Sequence, residues 1–238
     1  MKRLLTIRGL SFSYDGRRKI LDGVNLDLHA GESLAIMGYS GSGKTTLLKI
    51  IAGLLYPYEG IVEVIADRGG IGYIPQNVGL VKNLTALQNV LHGSLGRVGV
   101  FAGMVSKFPA EEVEKAYRLL GEMGLADVAD RKAGLLSGGE RQRVAVARSL
   151  MQSPSILLAD EFVSDLDIIN AIEVMTLTNK ICKRNNIALL MTMHDVQLVN
   201  KFADRVAVLK DGRITADMPA DQIDVNTLAT ILTGGTMR

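Results

Sequence analysis

The sequence predicts an α/β fold built on a mainly parallel sheet, with a small antiparallel β-subdomain at the N-terminal end and a helical subdomain inserted in mid-chain. Continuous apolar runs at 34–37, 156–159 and 187–191 suit buried parallel strands, which have no polar face to show. The first of these runs leads into Gly38-Tyr39-Ser40-Gly41-Ser42-Gly43-Lys44-Thr45, and Thr46 then opens a stretch of good helix formers. Well over a hundred residues separate Lys44 from Asp160, more than one βαβ crossover needs, so a further unit is inserted between them.

Near the N-terminus, Val24, Leu26 and Leu28 alternate with Asn25, Asp27 and His29 in the period of a half-buried strand. Further short strands are expected at 4–10 and 18–21, beside turns at Asp15-Gly16 and Asp22-Gly23. His29 falls on the polar side and needs no function. Phe12 and Tyr14 form an aromatic pair before the first turn. Either ring could fill the core, which the segment alone favours, and an exposed ring near a nucleotide could instead stack on its base.

The 38–45 stretch fits the phosphate-cradling pattern G-x-x-x-x-G-K-[ST], and it lies between a strand and a helix as that pattern requires. Glycines let the backbone wrap closely round phosphates, successive N–H groups face the anion, and the helix N-terminus adds a favourable dipole. Lys44 would reach the β- and γ-phosphates and the Thr45 hydroxyl would ligate Mg²⁺. The competing reading is a Gly-rich turn with a solvated lysine.

After this helix, strands are expected at 61–65 and 71–74, where Pro75-Gln76-Asn77 breaks the pattern. Helices are expected at 84–91 and 110–123, the second carrying Glu111 and Glu112 in its first turn. The glycine-containing apolar stretch at 98–105 reads either as core of the inserted lobe or as a partner-docking surface. Ser137-Gly138-Gly139-Glu140-Arg141-Gln142 opens a helix with Val144, Ala147 and Met151 on one face. Ser137 and Glu140 could form a capping box, whereas the double glycine suits close approach of backbone N–H groups to a ligand.

That helix should stop near Pro154. Asp160-Glu161 then ends a buried strand, where two carboxylates are costly without the counter-charge that a Mg²⁺ nucleotide supplies. Ser164-Asp165-Leu166-Asp167 leads to a helix with Ile168, Ile172 and Met175 on one face. His194 follows the strand at 187–191 and so shares the sheet edge of Asp160 and Glu161. Strands at 206–209 and 212–214 are joined by a hairpin through Asp211-Gly212, and the last twenty residues read as helical.

Composition narrows the function classes. A chain of 238 residues with 47% hydrophobic content can bury one substantial core. Net charge is +2 with no basic tail, which argues against a nucleic-acid partner. No apolar run approaches a membrane span, and Arg8 interrupts the N-terminal apolar stretch too early for a signal peptide, so a cytoplasmic location is expected. The single cysteine, Cys182, sits in an apolar helical pattern as a small core residue.

Taken together, the P-loop at 38–45, Gln76, the Leu136-Ser137-Gly138-Gly139-Glu140 signature, the acidic pair Asp160-Glu161, Asp167 and His194 resemble the ATP-binding cassette ATPases, in order and over essentially the full length. The resemblance implies a P-loop NTPase (RecA-like) core with its β-subdomain at 1–78 and 153–238, and a helical subdomain at 79–152 that carries the signature. It implies ATP and Mg²⁺ as ligands. Tyr14 would stack on adenine. Gly38, Tyr39, Ser40, Gly41, Ser42, Gly43, Lys44, Thr45 and Thr46 would hold the phosphates. Ser137, Gly138, Gly139, Glu140 and Asp167 would also bind the nucleotide, Ser137 and Gly139 reaching it from the other subunit of a head-to-tail homodimer. Thr45, Gln76 and Asp160 would serve the metal, and Glu161, His194, Gln76 and Lys44 would be catalytic.

A narrower resemblance rests on Asn89-Val90-Leu91-His92-Gly93-Ser94-Leu95-Gly96-Arg97, Phe108-Pro109, Leu158-Ala159-Asp160-Glu161 and Ala203-Asp204-Arg205-Val206. These look like the ATPase subunits of phosphonate-type importers, in which His92 would have no catalytic role. That implies membrane permease subunits, an extracytoplasmic substrate-binding protein and a peripheral place on the cytoplasmic face of the membrane. The stretch at 137–144 is also typical of lipoprotein-release and macrolide-exporter ATPases, which supply the alternative, alongside a soluble non-transport ATPase. The chain departs from the family pattern at Phe162, Asp165, Ile168 and Tyr39. The departures at Phe162, Ile168 and Tyr39 replace common prolines, and Asp165 puts a negative charge at an expected subunit interface, so they bear on dimer affinity and turnover.

Overall fold

A computed structural model describes residues 2–65, 70–98 and 108–234. β1 (Arg3–Phe12) pairs antiparallel with β2 (Leu21–His29) on one side and β4 (Glu59–Val64) on the other. The expected strand at 18–21 contributes only Leu21, and Asp22-Gly23 is not a turn but lies inside β2. Gly9 and Gly23 both take positive φ where the β1–β2 register slips, and their N–H groups donate to Asn25 Oδ1 at 3.0 Å and Ser11 Oγ at 3.1 Å. The dipeptide marks a bulge that bends a continuous strand.

The second sheet runs β5-β6-β7-β3-β8-β9. β3 (Ser33–Met37), β5 (Ile71–Ile74), β6 (Ile156–Ala159), β7 (Ala188–Thr192) and β8 (Arg205–Lys210) are parallel, and β9 (Arg213–Pro219) adds an antiparallel edge. Asp211 and Gly212 connect the last pair with both φ positive, as a tight hairpin matched to strand twist requires. The apolar runs are explained by burial on both faces. Leu34, Ile36, Leu158 and Leu190 face a core shared with β1, β2 and the helix α1 (Lys44–Ile51), while Ala35, Met37, Leu157, Leu189 and Met191 face the other helices.

α2 (Ala86–Leu91) starts at a capping box made by Thr85 and Gln88. α3 (Leu95–Val98), α4 (Ala110–Glu122) and α5 (Gly138–Met151) follow, and α2, α4 and α5 pack together in the core cluster that continues onto the sheet. All but Val98 of the apolar stretch at 98–105 lies outside the described residues. α6 (Ile168–Arg184) buries Ala171, Val174, Met175 and Cys182, whereas Ile168 is 52% exposed. Helical side chains tilt toward the N-terminus, so that of the first residue projects past the helix end instead of onto the packed face. Burial raises the Cys182 thiol pKa to about 12, which keeps it protonated and inert. α7 (Val196–Phe202) and α8 (Val225–Thr233) complete the chain.

Candidate active site

The parallel sheet brings the carboxyl ends of β3, β5, β6 and β7 to one edge, where the connecting loops can converge on a ligand. Between β3 and α1, Gly38 has φ 156° and a Cβ there would lie 2.1 Å from the Leu209 carbonyl oxygen. At Gly43, φ is 108° and a Cβ would come within 2.9 Å of the Ile20 carbonyl. Both positions therefore need glycine, because a side chain at either would run into the backbone of a neighbouring segment. Ser42 Oγ is buried in this loop with no hydrogen-bond partner among the described residues. Lys44 Nζ donates to the carbonyls of Gly38 at 3.0 Å and Tyr39 at 3.1 Å and stands 3.7 Å from Glu161. Burial lowers the Lys44 pKa, an effect opposed by the Glu161 and Asp160 carboxylates.

Asp160, 1% exposed at the end of β6, accepts from Thr45 Oγ1 at 3.2 Å and Thr192 Oγ1 at 2.8 Å. Thr192 Oγ1 in turn accepts from the Glu161 N–H at 2.8 Å. One hydroxyl thus locks both acids to the end of β7. Glu161 takes φ 43°, a left-handed backbone that costs on the order of 1–3 kcal/mol for a non-glycine residue and needs such support. Its Oε2 accepts from Gln76 Nε2 at 3.0 Å, and its Oε1 lies 2.7 Å from His194 Nε2. Burial, followed by the Asp160 carboxylate, pushes the Tyr73 phenol pKa up to about 12.

Gln76, Lys44, Thr45, Asp160, Glu161 and His194 are therefore gathered into one polar cluster. Thr192 and Tyr73 were missed by the sequence reading. Thr192 did leave a signal, as the hydroxyl ending an otherwise apolar strand two residues before His194. Tyr14 is 62% exposed, sits edge-on to Phe12 with centroids 4.8 Å apart, and its hydroxyl is 3.2 Å from Thr46 Oγ1. Phe12 fills the core while Tyr14 stays open beside the P-loop helix. Tyr39, Ser40 and Gly41 are exposed on the same loop.

The signature residues form a second group. Ser137 caps α5, accepting from the Glu140 N–H at 3.2 Å, and Glu140 Oε2 accepts from the Ser137 N–H at 2.7 Å. That N–H holds the Glu140 carboxyl below the usual carboxylate range. Asp167 caps α6, accepting from the N–H groups of Asn170 at 3.0 Å and Ile169 at 3.1 Å, and the Asn170 N–H is the main reason its carboxyl is also held low. A Cβ on Gly139 would lie 2.9 Å from Asn170 Oδ1, while Gly138 meets only Leu166 at ordinary distance. Close packing of two helix starts thus accounts for one glycine of the pair within this chain. No hydrogen bond among the described residues joins this group to the P-loop. A cleft of about 460 Å³, lined by Gln76, Gly138, Gln142 and Glu161, separates the start of α5 from Gln76 and Glu161.

Comparison with known proteins bears on the same motifs. The family described as ABC transporter matches residues 21–164. The phosphonates import ATP-binding protein PhnC of Bordetella parapertussis is 38% identical over 98% of this chain and 98% of its own length. Among solved structures, the ADP conformation of an ATP-binding cassette of an ABC transporter is 28% identical with a TM-score of 0.82, covering 98% of this chain and 96% of that one. A dimeric bacterial ABC transporter cassette is 31% identical with a TM-score of 0.76, covering 91% of this chain and 99% of that one. The chain belongs to the ABC transporter family and is one of its ATP-hydrolysing cassettes.

Proposed function

We propose that this chain is the ATPase subunit of an importer that moves phosphonates or related phosphorus oxyanions through a separate membrane permease. The observation that carries the hydrolytic reading is the grip of Gln76 and His194 on Glu161, beside an Asp160 joined to Thr45 of the P-loop. The substrate class rests on full-length similarity to relatives named for phosphonate import. Among the described residues no helix is long and apolar enough to cross a membrane, which is consistent with a peripheral subunit on the cytoplasmic face. An extracytoplasmic binding protein belongs to the same proposal.

In this reading, the N–H groups of 38–45 and the Lys44 ammonium bind the phosphates, and Tyr14 stacks on adenine. Asp160 and Thr45 present hard oxygen donors 3.2 Å apart in a buried site, a donor set that fits Mg²⁺, and the Gln76 amide oxygen is free to join them. When bound, that cation neutralises charge developing on the phosphates. Glu161 takes the proton of the attacking water, with His194 and Gln76 fixing its carboxylate. Ser137, Gly138, Gly139, Glu140 and Asp167 meet the nucleotide held by a second copy. ATP would then bridge the two copies, so that binding favours the closed dimer and hydrolysis releases it.

Two experiments test this. Lys44→Ala should weaken ATP binding at least tenfold in a titration, and unchanged affinity would overturn the P-loop assignment. Reconstitution with permease and binding protein should give ATP turnover stimulated by methylphosphonate or phosphate. Equal stimulation by an unrelated solute would remove the substrate class.

A further inference from the structure

Gln76 donates to Glu161 from the loop after β5, and α5 grips the chain on both sides of it. Before Gln76, Ser149 Oγ donates to the Tyr73 carbonyl at 3.2 Å. After it, the Arg148 guanidinium donates from Nη2 to the Val78 carbonyl at 2.6 Å and from Nη1 to the Gly79 carbonyl at 2.7 Å. Burial lowers the Arg148 pKa and no carboxylate offsets it, so these carbonyls are what this cation has in exchange for water. Gly79 takes φ 59°, a left-handed turn that supports the two adjacent carbonyls. The backbone of Arg148 is itself packed tight, because a Cβ on Gly93 would lie 2.1 Å from its carbonyl oxygen.

Ser137, the N-cap of the same helix, lies eleven residues earlier or about 16 Å along a rigid rod. We infer that Arg148 is a positioning residue: it transmits the place of α5, and hence of the signature residues at its start, to the loop that holds Gln76 against Glu161. The guanidinium fork suits this role because its two Nη donors are held in one rigid plane, so each carbonyl meets its own fixed donor, whereas the donors of an ammonium rotate. The inference deepens the hydrolytic reading and rests on Gln76 and Glu161 serving the same reaction.

A double-mutant cycle on steady-state ATPase kinetics tests it. Gln76→Ala and Arg148→Met should each lower kcat about tenfold with KM for ATP little changed, because a misplaced catalytic contact acts on turnover. The double variant should be no worse than about tenfold, since both changes remove one contact. Arg148→Lys, which retains the charge and one hydrogen bond, should recover part of the loss. An Arg148→Met variant with unchanged kcat per folded molecule, whatever its melting temperature, would be merely structural, and a loss that multiplies with Gln76→Ala to about a hundredfold would be independent of it; either result would overturn the inference. Should Arg148→Met not fold, the same cycle with Arg148→Lys decides. If Gln76→Ala alone leaves kcat unchanged, the assignment of Gln76 falls and the relay with it. If only Gln76→Ala lowers kcat, the relay alone falls.

Discussion

Glu161 combines a strained backbone with a fully committed side chain, which is expected of a group whose placement matters more than its own stability. Glu161→Gln keeps the shape of the side chain and removes its basicity. Turnover should fall at least a hundredfold while ATP affinity in an equilibrium titration stays within a few-fold, and parental turnover would sink its role as base. Phe162 is a different case. The sequence marks it as a departure from a family proline, and the structure finds it 2% exposed in the main core cluster. Phe162→Ala should therefore destabilise by about 3–5 kcal/mol, lowering Tm by about 10 °C in a thermal melt, with ATP turnover per folded molecule much less affected. The chemical residues were legible because Lys44 and Thr45 complete a phosphate-cradling pattern, while Gln76, Asp160, Glu161 and His194 closely follow recognisable strands. Thr192 and Tyr73 were not, since a threonine or tyrosine in a strand usually reports β-propensity, and only the neighbouring strand turns either toward Asp160.

At the scale of elements, the start of α5 shows how one residue can carry a local and a functional reading at once. Ser137 and Glu140 complete a capping box, so Ser137→Ala should cost about 1 kcal/mol whether or not a nucleotide is near, a Tm drop of about 2–4 °C. The folded-state pKa of Glu140 is below its unfolded value, so its contribution is present above the ordinary carboxylate range and is lost as pH falls through the folded pKa. The penalty of Glu140→Ala, which removes the carboxylate that the Ser137 N–H holds, should therefore shrink in melts at acidic pH. A constant penalty would mean that the box does not depend on the ionised carboxylate. Strand boundaries were less legible than helix caps. Asp-Gly within β2 writes the same signal as a hairpin turn, and only pairing with β1 over its whole length distinguishes a bulge from a reversal.

Across the whole molecule, the alternating faces of β3, β6 and β7 divide the interior between the N-terminal sheet and the helical lobe. The apolar runs announced strands buried on both sides. They could not announce the order β5-β6-β7-β3-β8-β9, because a continuous run carries no information about which neighbour it meets. That order is what carries Gln76, Asp160 and His194 to one edge, so the motifs were readable one by one while their meeting was a property of topology. Assembly is the next level, and Asp165 bears on it. It is exposed beside the cleft that also borders Gln76 and the start of α5, and if the proposed twofold head-to-tail dimer closes over that cleft its charge would enter the interface twice. Glu161→Gln with ATP should accumulate a dimer measurable by sedimentation velocity. Adding Asp165→Ala should tighten that dimer by about three- to tenfold at low ionic strength, through relief of like-charge repulsion, and the gain should fade as salt screens the charges. An unchanged constant at low salt would put Asp165 away from the contact. A weaker dimer would show that the carboxylate meets a partner cation, and the departure from the family pattern would then favour assembly instead of opposing it.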